Sequence, residues 1–193
     1  MIKVRLSTEE LRGALLHASQ NQEQGIGTYK SQVHDVETRQ QRMTVDQAVG
    51  QVATCAVAKY LYGTTQLYFL TRFWHSQHPD TADHGYDIGC ANIDVKASFM
   101  RGSKDPLRYN LLLRPSDLRE DWVYIQCLID HASEDPTHWI TEHPTIYIPG
   151  YATPDDLPFE VEDQHSSFKG CYRLSTIDLN PLPPLRYHWF NNT

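Results

Sequence analysis

The chain has 193 residues, of which 40% are hydrophobic and 21% charged, enough for one domain with a buried core and unlike a disordered or fibrous chain. Its formal charge of −7, from 17 Lys+Arg against 24 Asp+Glu, argues against a non-specific nucleic-acid binder taken as a whole. The excess is local: residues 1–115 carry a net +2, residues 116–165 a net −11 and residues 166–193 a net +2, so a local anionic partner stays open.

In chain order, Ser7-Thr8-Glu9-Glu10 reads as a helix cap, followed by Leu11, Ala14, Leu15 and Ala18 at helical spacing. The polar stretch Gln20–Arg42 reads as a loop or exposed arm. Thr44-Val45-Asp46-Gln47 opens a helix that Gly63 stops near Tyr62, apolar or small on nearly every side of its middle. From Gln66 the pattern turns strand-like: Leu67–Phe73, a hairpin of Tyr86-Asp87-Ile88 and Ile93–Ser98 around the turn Gly89–Asn92, then Tyr109–Leu113, Trp122–Ile129 and Thr145–Ile148. Proline punctuation makes the C-terminal third loop-rich. The expected organisation is an N-terminal helix and polar arm over 1–43 and a core over 44–193 with a loop-rich C-terminal extension. Fold class is mixed α/β, with a mixed central sheet flanked by helices.

Cys55, Cys90, Cys127 and Cys171 form no Cys-x-x-Cys pair and no framework, and Cys55 and Cys127 read as small buried hydrophobes. Met1–Leu6 runs straight into polar residues, unlike a signal peptide. No stretch approaches the roughly 18 apolar residues of a membrane span. A reducing cytoplasm is the expected setting, with no membrane partner.

The chemistry-bearing segment runs from Asp83 to Ser98. With a side-chain period of two, Ile93, Val95 and Ala97 share one strand face while Asp94, Lys96 and Ser98 share the other. Asp94 and Lys96 then stand about 7 Å apart along the strand, and Asp87 can reach the same place across the turn. Asp-x-Lys alone is a common surface ion pair; Asp-x6-Asp-x-Lys amid apolar residues is more specific. Mg²⁺ takes oxygen ligands and needs only one or two carboxylates from a protein. Asp87 and Asp94, with the Val95 carbonyl, could supply them. Lys96 beside them could orient or deprotonate a water and neutralise charge on a phosphodiester transition state.

Asp87 followed by Ile93-Asp94-Val95-Lys96 resembles the signature of the PD-(D/E)XK, restriction-endonuclease-like nuclease superfamily. The resemblance spans roughly residues 44–182, but only Asp87, Asp94 and Lys96 are specific to it. It implies a restriction-endonuclease-like fold and metal-dependent hydrolysis of DNA phosphodiesters, RNA not being excluded. Mg²⁺ would be the cofactor, with Mn²⁺ able to substitute, and a homodimer would suit cutting of both strands. Gly50-Gln51-Val52-Ala53 is similar to the helix that brings an acidic residue to the metal in such nucleases. Gln51 stands where glutamate is usual, so it is expected as an auxiliary ligand that adds no charge. The alternative it leaves is a catalytically impaired nuclease-fold module that binds DNA or protein. Glu37 could supply a carboxylate from elsewhere.

Arg101, Lys104 and Arg108 follow the motif as a basic cluster able to hold flanking phosphates, with Arg39 and Arg42 as additions and His84 close enough to touch substrate. His75, His78 and His84 lack a convincing fourth ligand for a transition metal. Tyr109, Trp122, Tyr124 and Trp139 read as core aromatics. Gln126 is odd in an apolar strand: either it is half-buried or at an edge, or its amide points into the site and holds water near Lys96. The acidic block at 116–165 is expected to face away from nucleic acid or towards a protein.

Overall fold

Ser7 and Glu10 cap each other, the Ser7 N–H donating to Glu10 Oε2 at 2.7 Å and the Glu10 N–H to Ser7 Oγ at 3.2 Å. Helix α1 (Thr8–Glu23) therefore starts where its sequence places it. The computed structural model describes residues 1–23, 36–77, 87–89, 91–158 and 170–183, and the side chains of 22–23 and 36–42 lie outside that description. Helix α2 (Val36–Tyr62) begins at Val36 rather than Thr44. The stretch expected as a loop, Gln20–Arg42, is thus helical at both ends, because Gln and Arg favour helix without showing an apolar period. Gly63, at φ 70, ends α2 in the left-handed conformation, as its sequence predicts.

Leu67–Phe73 is not a strand but part of helix α3 (Gln66–Gln77). The Gln66 N–H donates to Thr64 Oγ1 at 3.2 Å and the Thr71 hydroxyl to the Leu67 carbonyl at 2.8 Å. Tyr68 and Thr71, three apart, turn inward, while Leu70 and Phe73 are 64% and 63% exposed. That helical spacing overrides the aromatic, strand-favouring composition. Nor do the described residues of the motif form a two-stranded hairpin, Tyr86 and Cys90 lying outside them. Asp87–Gly89 is a bend and turn, with Gly89 at φ 64, and only β2 (Ile93–Phe99) is extended. One hairpin-like bond remains, from the Asp87 N–H to the Ile93 carbonyl at 2.9 Å.

The remaining strands are β1 (Ile2–Val4), β3 (Asn110–Leu113), β4 (Val123–Asp130), β5 (Thr145–Ala152) and β6 (Tyr172–Ser175). A mixed sheet has the order β1-β5-β4-β2, with β2 parallel to β4 and the other pairs antiparallel; β3 and β6 form a separate antiparallel pair. The α/β class is as expected. On one side of the mixed sheet, Ile93, Val95, Ile125, Cys127, Ile146 and Ile148 pack with α1 and α2. On the other, Tyr124 and Ala152 join Leu111, Leu113, Trp122 and Leu179 around the β3–β6 pair. Because β-strand side chains alternate, Asp94, Lys96 and Gln126 project on that second side. Cys55 and Cys127 are buried and free, as expected. Trp122, Tyr124 and Trp139 are buried, while Tyr109 is only partly covered. Among the described residues no helix is long and apolar enough to cross a membrane.

Candidate active site

Strand β2 alternates as its sequence predicts: Ile93 and Val95 are buried, Asp94 and Lys96 only partly so. Lys96 Nζ lies 2.9 Å from Asp94 Oδ2 and 3.2 Å from Asp117 Oδ2. Asp117 sits in a short 3₁₀ turn, Pro115–Asp117, whose position is fixed by the buried Tyr124: its hydroxyl donates to the Asp117 carbonyl at 2.9 Å and accepts from the Arg119 N–H at 2.8 Å. Tyr124 is the β4 residue in register with Asp94. One buried ring thus sets the loop carboxylate over the motif.

Asp87 is held from two directions. Its Oδ2 accepts from the Val95 N–H at 2.7 Å, and Arg72 Nη2 donates to its Oδ1 at 3.1 Å and to its carbonyl at 2.8 Å. The adjoining turn is pinned to α3 as well, the Gly89 N–H donating to Thr71 Oγ1 at 2.7 Å. A carboxylate docked onto a strand N–H stands next to the strand's outward face, and Asp87 and Asp94 do feel each other. Burial first, then the charge of Asp87, raise the Asp94 carboxyl to about 6 against the pull of Lys96. For Lys96, burial alone would lower the pKa. The carboxylates of Asp94 and Asp117 outweigh it and hold the ammonium above its ordinary value.

Gln51 is buried on α2, and its Oε1 accepts from the Tyr68 hydroxyl at 2.8 Å. The Arg72 guanidinium carbon lies 5.6 Å from the centre of the Tyr68 ring. Gln51 therefore connects to Asp87 through Tyr68 and Arg72, with no hydrogen bond to Asp94 or Lys96. The Tyr68 hydroxyl is pushed well up, chiefly by burial, so it stays a neutral donor. Arg72 and Asp117 carry no signal in the local sequence pattern. Arg72 becomes visible only once Gln66–Gln77 is read as a helix, and Asp117 only through the fold.

The expected basic cluster is already paired. Arg101 Nε lies 2.8 Å from Glu134 Oε1, Lys104 pairs with Asp130, and Arg108 Nε is 3.9 Å from Asp105 Oδ2. Asp117, Asp130 and Glu134 belong to the acidic block, so that part of the block turns towards the motif's cations rather than away from them. His78 and His84 lie outside the described residues, as do the side chains of Glu37, Arg39 and Arg42. His75 is on α3, its pKa lowered chiefly by burial.

Asp87 and Asp94 are the side chains that would hold a divalent cation, and both Asp87 oxygens already accept hydrogen bonds from the Val95 N–H and Arg72. Three carboxylates (Asp87, Asp94, Asp117) and two cations (Arg72, Lys96) meet around the motif, where burial first and the Asp87 charge second raise the Asp94 carboxyl. No group of three or more His, Cys, Asp or Glu side chains able to hold a metal occurs among the described residues. A hydrated Mg²⁺ can take as few as one or two carboxylates from a protein, so a site for it would rest on Asp87 and Asp94 alone. Scans against protein-family models, curated proteins and solved structures return no match for this chain.

Proposed function

We propose that the chain is a metal-dependent endonuclease of the PD-(D/E)XK kind, hydrolysing DNA phosphodiester bonds. The observation that supports this best is that Asp87 docks on the Val95 N–H beside Asp94, with Lys96 ion-paired to Asp94 on the same strand. Asp87 and Asp94 would hold Mg²⁺, with the Val95 carbonyl as a further oxygen. When bound, the metal supplies charge neutralisation and an acidified water. Lys96 keeps its proton, since two carboxylates hold it above its ordinary pKa. It therefore orients water or neutralises a phosphate oxygen through N–H donation rather than acting as a base. Arg72 and Val95 fix Asp87, and Gln51 steadies Tyr68 behind them. A homodimer and a cytoplasmic setting belong to this same reading.

A metal-titrated cleavage assay on supercoiled and linear DNA tests it. Wild type should cut with Mg²⁺ or Mn²⁺, and Lys96→Ala should lose about 10²–10⁴-fold. The second reading is a catalytically impaired DNA-binding or protein-interaction module. It is favoured by Gln51, which adds no charge and is already bonded to Tyr68. Wild type and Lys96→Ala equally inert with both metals, yet still binding DNA, would decide for it. Absence of binding at low salt would leave only a protein-interaction role.

A further inference from the structure

Large apolar side chains face water on the outer side of α3. Leu70 and Phe73 are more than half exposed, as is Leu16 on α1, and Trp74 is 41% exposed. At i, i+3 and i+4, Leu70, Phe73 and Trp74 share the face opposite Tyr68 and Thr71, which turn into the core. The other exposed residues of α3 are Gln66, Ser76 and Gln77, so its outer face carries no charge. Leu16 adjoins that face. Gly13 of α1 lies against the Phe69 ring, where a Cβ would stand 2.6 Å from it, and the His17 and Phe69 rings are 6.0 Å apart. Leu16, one turn on from Gly13, and Phe73, one turn on from Phe69, flank this α1–α3 contact on its solvent side. The inner side of the same helix serves the motif, Thr71 holding the Gly89 N–H and Arg72 holding Asp87.

The size of the patch decides what it can do. An aromatic side chain buries about 150–250 Å² when fully covered, so Phe73 and Trp74 at their exposures offer about 200 Å² between them. The two leucines bring the patch to about 350 Å². That matches the largest patch on a typical monomer, about 300–600 Å², which is often functional. A second copy of the chain suits it well. With aromatic and leucine side chains at its centre, glutamines at its ends and no charge to complement, the face can be its own match about a two-fold axis. None of the carboxylates of the acidic block at 116–165 belongs to it. Since apolar area makes up about 57% of an ordinary interface, two patches imply about 1,200 Å² buried in all. That is the lower end of stable interfaces, and it sets the association in the micromolar range.

We propose that α3 joins two copies of the chain in a two-fold dimer through Leu70, Phe73 and Trp74, with Leu16 at the flank. The dimer stands apart from the nuclease reading, since association is measured with neither DNA nor metal present. Sedimentation equilibrium of the full chain in EDTA, from about 1 to 300 µM, should show a monomer–dimer equilibrium with a Kd of about 1–100 µM. Phe73→Ser should weaken it about tenfold or more, and Leu70→Asp, which sets like charges across the axis, should leave a monomer. Phe73→Leu, which keeps the apolar contact, should stay within about threefold of wild type. Thermal melts matching wild type show that these variants fold, the substituted side chains being exposed already. Ile177→Ser is the control. Ile177 is exposed on the other side of the mixed sheet, in the turn Thr176–Asp178 whose Thr176 Oγ1 lies 2.9 Å from Gln126 Oε1, and its loss should leave the dimer intact. A wild type that stays monomeric at the highest concentration hands the face to a different protein and overturns the proposal. So does a dimer that Leu70→Asp fails to split, or one that Ile177→Ser weakens as much as Phe73→Ser. A monomer that cuts DNA would sink the dimer and keep the nuclease reading; a dimer inert on DNA would do the reverse.

Discussion

Asp94 stores a conflict that can be read out by pH. Its carboxyl is raised to about 6 by burial and by Asp87, so between pH 4 and 6 the folded chain keeps a proton that the unfolded chain releases. Stability falls as pH rises through that window, and the ionised form costs on the order of 3 kcal/mol above it. Asp94→Asn removes the conflict and leaves Lys96 paired with Asp117. The variant should melt several degrees higher than wild type at pH 7.5, with the gap closing by pH 4. A lower melting temperature at both pH values would show instead that the Asp94–Lys96 pair stabilises the fold. The Asp94–Lys96 placement was legible because a two-residue period needs no tertiary information. Asp117 and Arg72 were not, since nothing in their local spacing distinguishes them from ordinary surface charges.

At the level of elements, β5 meets the C-terminal segment so closely that only glycine fits at position 150. A Cβ there would run into the Asn180 carbonyl and stand 2.8 Å from Leu179 Cβ, where Tyr151 and Asn180 exchange backbone hydrogen bonds of 3.0 and 2.9 Å. Gly150→Ala should cost about 1–3 kcal/mol in urea unfolding through overpacking. A change within about 0.5 kcal/mol, the range of ordinary surface substitutions, would mean that the two segments can part. The sequence reads as a strand over Thr145–Ile148 with proline punctuation from Pro149 on, yet the strand runs unbroken through Pro149 and Gly150 to Ala152. Its pairing with β4 skips a step between Gln126 and Leu128, a bulge that local pattern does not encode. The α3 misreading has the same root: Leu67–Phe73 holds residues that suit a pleated surface, and only packing of Tyr68 and Thr71 against the core decides for a helix.

Over the whole molecule, the charge of −7 acts by pairing as much as by repulsion. Carboxylates of the acidic block occupy Arg101, Lys104 and Lys96, so these three cations must leave their partners before they displace counterions from DNA. Binding should therefore show a shallow salt dependence, with about 0.9 in slope per phosphate engaged. Glu134→Gln, which removes the Arg101–Glu134 ion pair, should tighten DNA binding and steepen that slope by roughly one phosphate's worth. An unchanged slope in a filter-binding or anisotropy series would mean that Arg101 does not face the nucleic acid. Segment-wise charge was readable from the sequence, but which acid meets which base depended on where β4 and its loops return. The anchor between Gln126 and Thr176 spans 50 positions, whereas Asp87 reaches Val95 across 8. By the logarithmic loop-closure scaling, joining the distant pair costs roughly 1.5 kcal/mol more chain entropy than joining the near one. The two halves of the site thus ask different things of the chain: the carboxylates assemble from neighbours, whereas Gln126 and Thr176 meet only once segments 50 positions apart have been brought together.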